Sequence, residues 1–266
     1  MTEPVLRGLG FIGAFVVMGL WEFLAPRRAQ GLSRRIRWPA NLGIALLNTI
    51  LTRILFPAAA VGGAIWAQGS GWGLFNRIPT PGWIAVIASV TLLDVAVYAQ
   101  HVVLHYVPLL WRLHRVHHAD VDLDVTSGVR FHPLEILLSL VFKLVVVISL
   151  GAPAVAVFAF EMALNLSAMF NHANVRLWPW LDRGLRLVII TPDAHRVHHS
   201  IRPDETNSNF GFTISLWDRL FRTWRDQPRD GHEGMTIGLR EFRAVKEQRV
   251  DQLLLQPFRR HAPIEL

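Results

Sequence analysis

The sequence predicts an all-α integral membrane protein: about three spanning helices plus a helical hairpin, with a cytoplasmic helical cap that carries clustered histidines. Three observations support that prediction. Hydrophobic residues make up 52% of the 266 and the mean hydropathy is +0.31, high for a soluble globule. The apolar residues gather into runs of membrane-spanning length. Ten of the twelve histidines fall between positions 101 and 199. A net charge of +7 would suggest nucleic acid in a soluble protein. Here the basic residues flank apolar runs and read as topology signals, so no nucleic-acid partner is expected. Cysteine is absent, which excludes disulfides and thiolate metal sites.

The first run, residues 9–24, is apolar apart from Glu22 and is followed by Pro26, Arg27 and Arg28. It has no basic leader beyond Arg7 and no small-residue cleavage site, so it reads as a retained helix rather than a signal peptide. Gly8, Gly10 and Gly13 fall at dinucleotide-fingerprint spacing, but no strand precedes them and no βαβ pattern follows. Arg27, Arg28, Arg34, Arg35 and Arg37 form the most basic short loop of the N-terminal half, which the positive-inside rule places in the cytoplasm. A second span is expected over 40–66, with Arg53 inside it as a structural anchor or a functional charge. The Gly- and Pro-rich stretch 68–82 reads as an exterior loop. A third span, 83–107, then returns to the cytoplasm, with Asp94, Tyr98, His101 and His105 on one helical face. Asp94 and Tyr98 either orient imidazoles through their ring N–H groups or make ordinary helix–helix hydrogen bonds.

Pro108 interrupts that helix, and a short helix over 109–119 follows, placed at the membrane surface by Leu110, Trp111 and Leu113. Asp120, Asp122 and Asp124 are expected to be a solvated loop rather than metal ligands. His132, before the helix-starting Pro133, is either a further ligand or a nearby hydrogen-bonding group. Residues 137–150 and 154–170, split by Gly151 and Pro153, form the hairpin, and Trp178 and Trp180 mark an interface. No run after Thr191 is long and apolar enough to cross again. Every histidine cluster and the C-terminal tail are therefore expected on the cytoplasmic face, with Leu253, Leu254, Leu255 and Phe258 in an interfacial helix.

The chemistry concentrates in one pentapeptide used twice. His114-Arg115-Val116-His117-His118 recurs residue for residue as His195-Arg196-Val197-His198-His199. Side chains at i, i+3 and i+4 share roughly a 100° arc of a helix, so each copy is expected to aim three imidazoles at one point. His101 and His105 add two more. A lone buried histidine is usually just hydrogen-bonded, but eight in three clusters point to metal, and neutral imidazole suits Fe, Zn, Cu and Ni. Eight ligands exceed the needs of one ion, so two ions with roughly four each is the economical reading.

Asp94 to His118, the stretch 130–135 (Arg, Phe, His, Pro, Leu, Glu), 171–177, 191–200, and Asn209 to Phe221 with Trp217 and Asp218 resemble the fatty acid hydroxylase and sterol desaturase superfamily. The resemblance covers roughly residues 83–225. It implies a membrane-bound, non-haem di-iron oxygenase that uses O2 and external reductant to hydroxylate or desaturate a lipid, fatty acyl or sterol-like substrate in the bilayer. It implies two Fe ions, with Zn as a substitute in purified samples. Carried over by position, the ligands are His101, His105, His114, His117, His118, His172, His195, His198 and His199; His132 matches a recurrent family histidine with no fixed role, and Asp94 and Tyr98 remain the candidates that the helical face gave, as a further ligand or a group behind one. No catalytic side chain beyond the metal centre is implied. The chain departs from the family pattern at Val102, where Arg commonly follows the first His, at Phe210, where Tyr is frequent, and at Arg222, where Gly is common.

The chain is accordingly divided into N-terminal transmembrane helices (1–82), a hydroxylase-like catalytic domain (83–225) and a cytoplasmic C-terminal tail (226–266). It encodes no haem-attachment cysteine, ferredoxin cysteine set or nucleotide-binding domain, so a separate electron-donor reductase is expected as partner. Two other classes remain open: a membrane zinc hydrolase, which would use the imidazoles to acidify bound water, and a metal-binding or transport protein. Nothing in the sequence signals the oligomeric state.

Overall fold

The computed structural model describes residues 2–259; the end of the expected tail, with His261, lies outside the described residues. The elements in order are α1 (Glu3–Leu24), α2 (Arg34–Leu55), α3 (Ala59–Gly69), α4 (Leu74–Arg77), α5 (Gly82–Tyr106), α6 (Pro108–His118), α7 (Pro133–Leu150), α8 (Ala154–His172), α9 (Pro179–Leu185) and α10 (Pro192–His198). Four short helices follow: α11 (Pro203–Thr206), α12 (Leu216–Leu220), α13 (Gly231–Gly234) and α14 (Val250–Leu255). Among the described residues the only β structure is three isolated bridges. Five stretches are long and apolar enough to cross a membrane: α1, the rod from α2 to α4, α5, α7 and α8. The protein is an integral membrane helix bundle.

The helix boundaries follow from local chemistry. Pro108 has no N–H to continue the ladder of α5 and instead opens α6 at N1. His132 caps α7, its Nδ1 accepting from the Leu134 N–H at 3.2 Å. α7 ends at Gly151, whose φ of +61° is left-handed and whose missing Cβ leaves room for the Trp72 carbonyl. The expected single span over 40–66 is two helices. Pro57 removes an N–H, and the break at Phe56–Ala58 divides the rod into α2 and α3, leaving Arg53 exposed in the last turn of α2.

Away from the histidines the bundle packs on small residues. Ala60, Val61 and Ala64 of α3 meet Leu93, Val147, Val157 and Phe160, since without a hydrophobic drive between helices close backbone approach is what holds spans together. Gly10 shows the same requirement on α1, because a Cβ there would lie 2.4 Å from Met162 of α8. The outward faces carry Val16, Leu20, Ile87 and Val145, all exposed as lipid contact demands. The charged groups in this region are paired: Glu161 accepts from Arg7 at 2.7 Å and also from Lys143.

At the opposite end the packing is polar. Arg37, fully buried, donates to both oxygens of Asp120 at 2.7 and 3.0 Å, to Asp124 at 2.8 Å and to the Asp122 carbonyl at 2.6 Å. Arg130, equally buried, bonds the Val116 carbonyl, Asn41 and Gln248. The expectation that Asp120, Asp122 and Asp124 form a solvated loop is therefore corrected: all three are buried. The physical reason is long-range, since their cationic partner lies more than eighty positions earlier. Burial raises the Asp120 carboxyl pKa, but Arg37 and Arg130 outweigh it and hold the group well below the usual carboxylate range. The tail helix α14 also differs from expectation. Leu253 is buried against Ala40, Ile44 and Val116 with Leu254 beside it, while Leu255 and Phe258 remain exposed.

Candidate metal centre

All the histidines at issue are placed by the ends of elements that converge on this polar layer. His101 and His105 end α5, His172 ends α8, and the two pentapeptides occupy α6 and α10. The imidazoles fall into two groups, each with ligand atoms within 4.8 Å of one another: His101, His105, His114, His118 and His198, and His117, His172, His195 and His199. This corrects the expectation that each pentapeptide aims at a single point. The first copy gives its i and i+4 rings to the group of five and its i+3 ring to the group of four; the second copy does the reverse. An arc of roughly 100° is wide enough to straddle two sites when helices meet there from different directions.

In four of the rings the hydrogen bonds fix which nitrogen carries the proton. His101 Nδ1 lies 2.6 Å from the Phe210 carbonyl, His117 Nδ1 3.1 Å from that of Arg130, His172 Nδ1 2.7 Å from that of Ala168, and His198 Nδ1 2.7 Å from that of Ser208. A carbonyl only accepts, so each of these rings donates through Nδ1 and, being neutral, leaves Nε2 as a bare lone pair. Glu135 takes the same role for His114 at 2.7 Å. Yet His101 Nε2 faces His114 Nε2 at 3.0 Å, and His172 Nε2 faces His117 Nε2 at 3.0 Å. Two lone pairs at that distance repel unless a cation lies between them. Among the described residues, Nε2 of His105, His118 and His198 has no partner at all. The donor set therefore fits two imidazole-bound metal ions. Burial first, and neighbouring imidazoles second, push His117, His118, His195, His198 and His199 well below the ordinary histidine range, which keeps them neutral.

One loop orients three rings of the group of five. Ser208 and Phe210 offer carbonyls to His198 and His101, and Asn207 Oδ1 lies 3.2 Å from His105 Nδ1. Asn209 makes that geometry possible: its φ of +51° is left-handed, and its amide donates to the Ala194 and Arg225 carbonyls at 2.8 Å. The Asp218 carboxylate holds the far side, accepting from the Phe210 and Gly211 N–H groups at 2.8 and 2.9 Å. Asp94 and Tyr98 bind α12 and the residues just after it, the segment behind this loop, rather than a ring. Asp94 accepts from Trp217 Nε1 at 2.7 Å, and the Tyr98 hydroxyl meets Thr223 Oγ1 at 2.8 Å. His132 lies outside both groups, with Nε2 3.3 Å from the Leu254 carbonyl. Sequence reasoning assigned no role to Glu135, Asn207 or Asn209. Glu135 was visible within the 130–135 motif, and Asn209 at the start of its own, but neither carries a spacing that names its partner.

The fatty acid hydroxylase family model matches residues 86–223. The chain belongs to that family. Among curated relatives, an ornithine lipid hydroxylase from Rhizobium tropici is 28% identical over 68% of this chain and 52% of its own length. Human alkylglycerol monooxygenase is 28% identical over 58% of this chain and 34% of its own length. Mouse cholesterol 25-hydroxylase is 26% identical over 54% and 47%. The chain thus spans about half or less of the length of these relatives. No solved structure gives a significant match. The matched stretch does not stand alone, since Arg37 before it and Gln248 after it both reach the polar layer beneath the first pentapeptide. Two departures from the family pattern now have locations. Phe210 is fully buried, with its ring 5.0 to 5.6 Å from those of His101, His105 and His198. Arg222 sits at φ +60°, the left-handed region that explains a preference for glycine.

Proposed function

We propose that the protein is a membrane-bound di-iron oxygenase that hydroxylates a lipid using O2 and electrons from a separate reductase. The observation that carries this reading is the pair of buried imidazole groups whose facing lone pairs call for cations. His101, His105, His114, His118 and His198 would hold one iron, and His117, His172, His195 and His199 the other, with zinc able to substitute. Bound there, the irons would supply O2 binding and reductive activation, which no amino-acid side chain provides. One oxygen atom enters the C–H bond of the substrate and the other leaves as water, with two electrons from the reductase and two protons.

The chain's own residues prepare the site. The carbonyls of Phe210, Arg130, Ala168 and Ser208 and the Glu135 carboxylate hold the rings in the tautomer that binds metal. Burial of the rings excludes bulk water that would quench reactive species. Their place at one end of the spanning helices lets an apolar substrate keep its tail in the bilayer. Nine imidazoles exceed the three that a hydrolytic zinc site uses, and the relatives named above are hydroxylases and a monooxygenase. The Arg-rich loop between α1 and α2 lies at the histidine end, where Arg27 reaches Asp193 at 3.1 Å, so the positive-inside rule puts this end in the cytoplasm.

Lipid mass spectrometry of cells with the wild type and with His198→Ala under 18O2 tests the reaction. A lipid that gains one 18O only with the wild type supports hydroxylation, and loss of two hydrogens without label would mean desaturation. Ester or amide cleavage with oxygen from water would replace the oxygenase with a hydrolase. For sidedness, an impermeant thiol reagent on intact cells should label Phe75→Cys and not Asp204→Cys; the reverse pattern would invert the orientation.

A further inference from the structure

Eight of the nine clustered imidazoles are no more than 1% exposed, whereas His105 is 9% exposed. It opens onto a cavity of about 150 Å³ whose walls include Trp111, Ile201, Leu239, Arg240 and the carboxylate of Glu241. Trp111 lines this space beside His105, its ring 4.9 Å from that of His105 and 5.3 Å from that of His118. Between the wall residues His105 and Trp111 the chain turns from α5 into α6, and there Tyr106, Val107 and Leu109 are exposed. The cavity is about half the ~300 Å³ lower end for a drug-sized ligand, so a lipid enters it with only a few carbons and keeps the rest outside.

The rim is rigid and charged. Residues 236–238 pair with 199–201: the Ile201 N–H bonds the Thr236 carbonyl at 3.0 Å and the Gly238 N–H bonds the His199 carbonyl at 3.0 Å. Gly238 has φ +96°, and a Cβ there would meet the Asp120 carbonyl at 2.9 Å, so the turn is locked against the histidine layer. Arg243 closes it by donating to the Ile237 and Leu239 carbonyls. Arg240 is carried at the tip, exposed. Its guanidinium makes no hydrogen bond or ion pair with any described residue, unlike Arg202 nearby, which is paired with Asp230. An unpaired cation held at the mouth of an apolar cleft is a receptor for an anion attached to an apolar chain.

We propose that this cleft is the substrate entrance and that Arg240 selects lipids bearing an anionic headgroup, a carboxylate or a phosphate, by pairing with it while the adjoining carbons pass Trp111 toward His105. The proposal rests on the oxygenase reading for what happens at the metals, but not for the binding itself. Because the chain has no cysteine, Ile201→Cys places a unique thiol on the cleft wall of the full-length purified protein. The rate of its alkylation is measured with tetradecanoate, tetradecyl phosphate or tetradecanol present. The acidic lipids should protect the thiol at concentrations about tenfold lower than the alcohol. Arg240→Gln should abolish that difference and Arg240→Lys should retain part of it, with metal content unchanged. Protection by only one of the two acids would identify the headgroup. Equal protection by the alcohol, or a preference that survives Arg240→Gln, would overturn the proposal. Protection needs no turnover, so a protein that binds acidic lipid in this way yet oxidises nothing under 18O2 would sink the oxygenase reading alone.

Discussion

The first pentapeptide closes the eleven-residue α6, whereas the second supplies the last four residues of the seven-residue α10 and, with His199, its C-cap. Arg115 of the first donates outward, to the carbonyls of Gln256 and Arg259, while Arg196 of the second pairs with Asp193 on its own helix. His114 has a carboxylate behind it in Glu135; its counterpart His195 has no partner at Nδ1 among the described residues. The two copies also exchange their i+3 rings between the metal groups. Five identical residues therefore become two different devices. The sequence repeat supplies imidazoles at a fixed spacing, and the surroundings of each helix decide which imidazoles gather in one group and what holds them.

The difference can be broken first at the supports. Arg37, under the first copy, is a fully buried cation bonded to two carboxylates, and Arg37→Ala would strip Asp124 of its ion-pair partner and leave Asp120 only Arg130 at 4.0 Å, costing about 3–5 kcal/mol. Arg27, beside the second copy, is only partly buried and its partner Glu233 is exposed, so Arg27→Ala should cost about 1 kcal/mol or less. Thermal unfolding in detergent compares the two, and equal losses would remove the distinction. Glu135→Gln should weaken metal retention by roughly 10–100-fold, the usual effect of losing a group that orients a ligand, measured by chelator competition. Arg115→Ala should speed amide exchange over residues 249–259, and Arg196→Ala should not. The smallest effect concerns Arg222, at φ +60°. Arg222→Gly should stabilise by up to about 1 kcal/mol, because left-handed backbone penalises a Cβ, and a lowered melting temperature would argue that the Arg222 side chain matters more than its backbone.

The helical class, the apolar runs and eight of the nine clustered histidines could be read from the sequence because each is a local pattern, length of run or spacing along one helix, whereas His172 came only with the family resemblance. The division of ligands could not, since His117 and His118 are adjacent in sequence yet serve different groups. The burial of Asp120, Asp122 and Asp124 was equally hidden, because a run of acids next to a helix looks solvated until Arg37 arrives from another element. The break at Pro57 was visible as a residue but not as a consequence, because the apolar run continues through it. Asn209 illustrates the same limit: its left-handed φ and paired amide set three ring orientations, and only the fold shows which carbonyls it presents.

Metal content of two double variants tests the crossed division of ligands most directly. His117→Ala with His195→Ala takes one residue from each pentapeptide but both from the group of four, leaving two imidazoles there. His114→Ala with His117→Ala takes both from the first pentapeptide but one from each group, leaving four and three. Since about three protein ligands suffice to hold such an ion, the account predicts about one metal per chain for the first variant and close to two for the second. Close to two ions in the first and one in the second would mean that each pentapeptide serves its own ion, and would contradict the division.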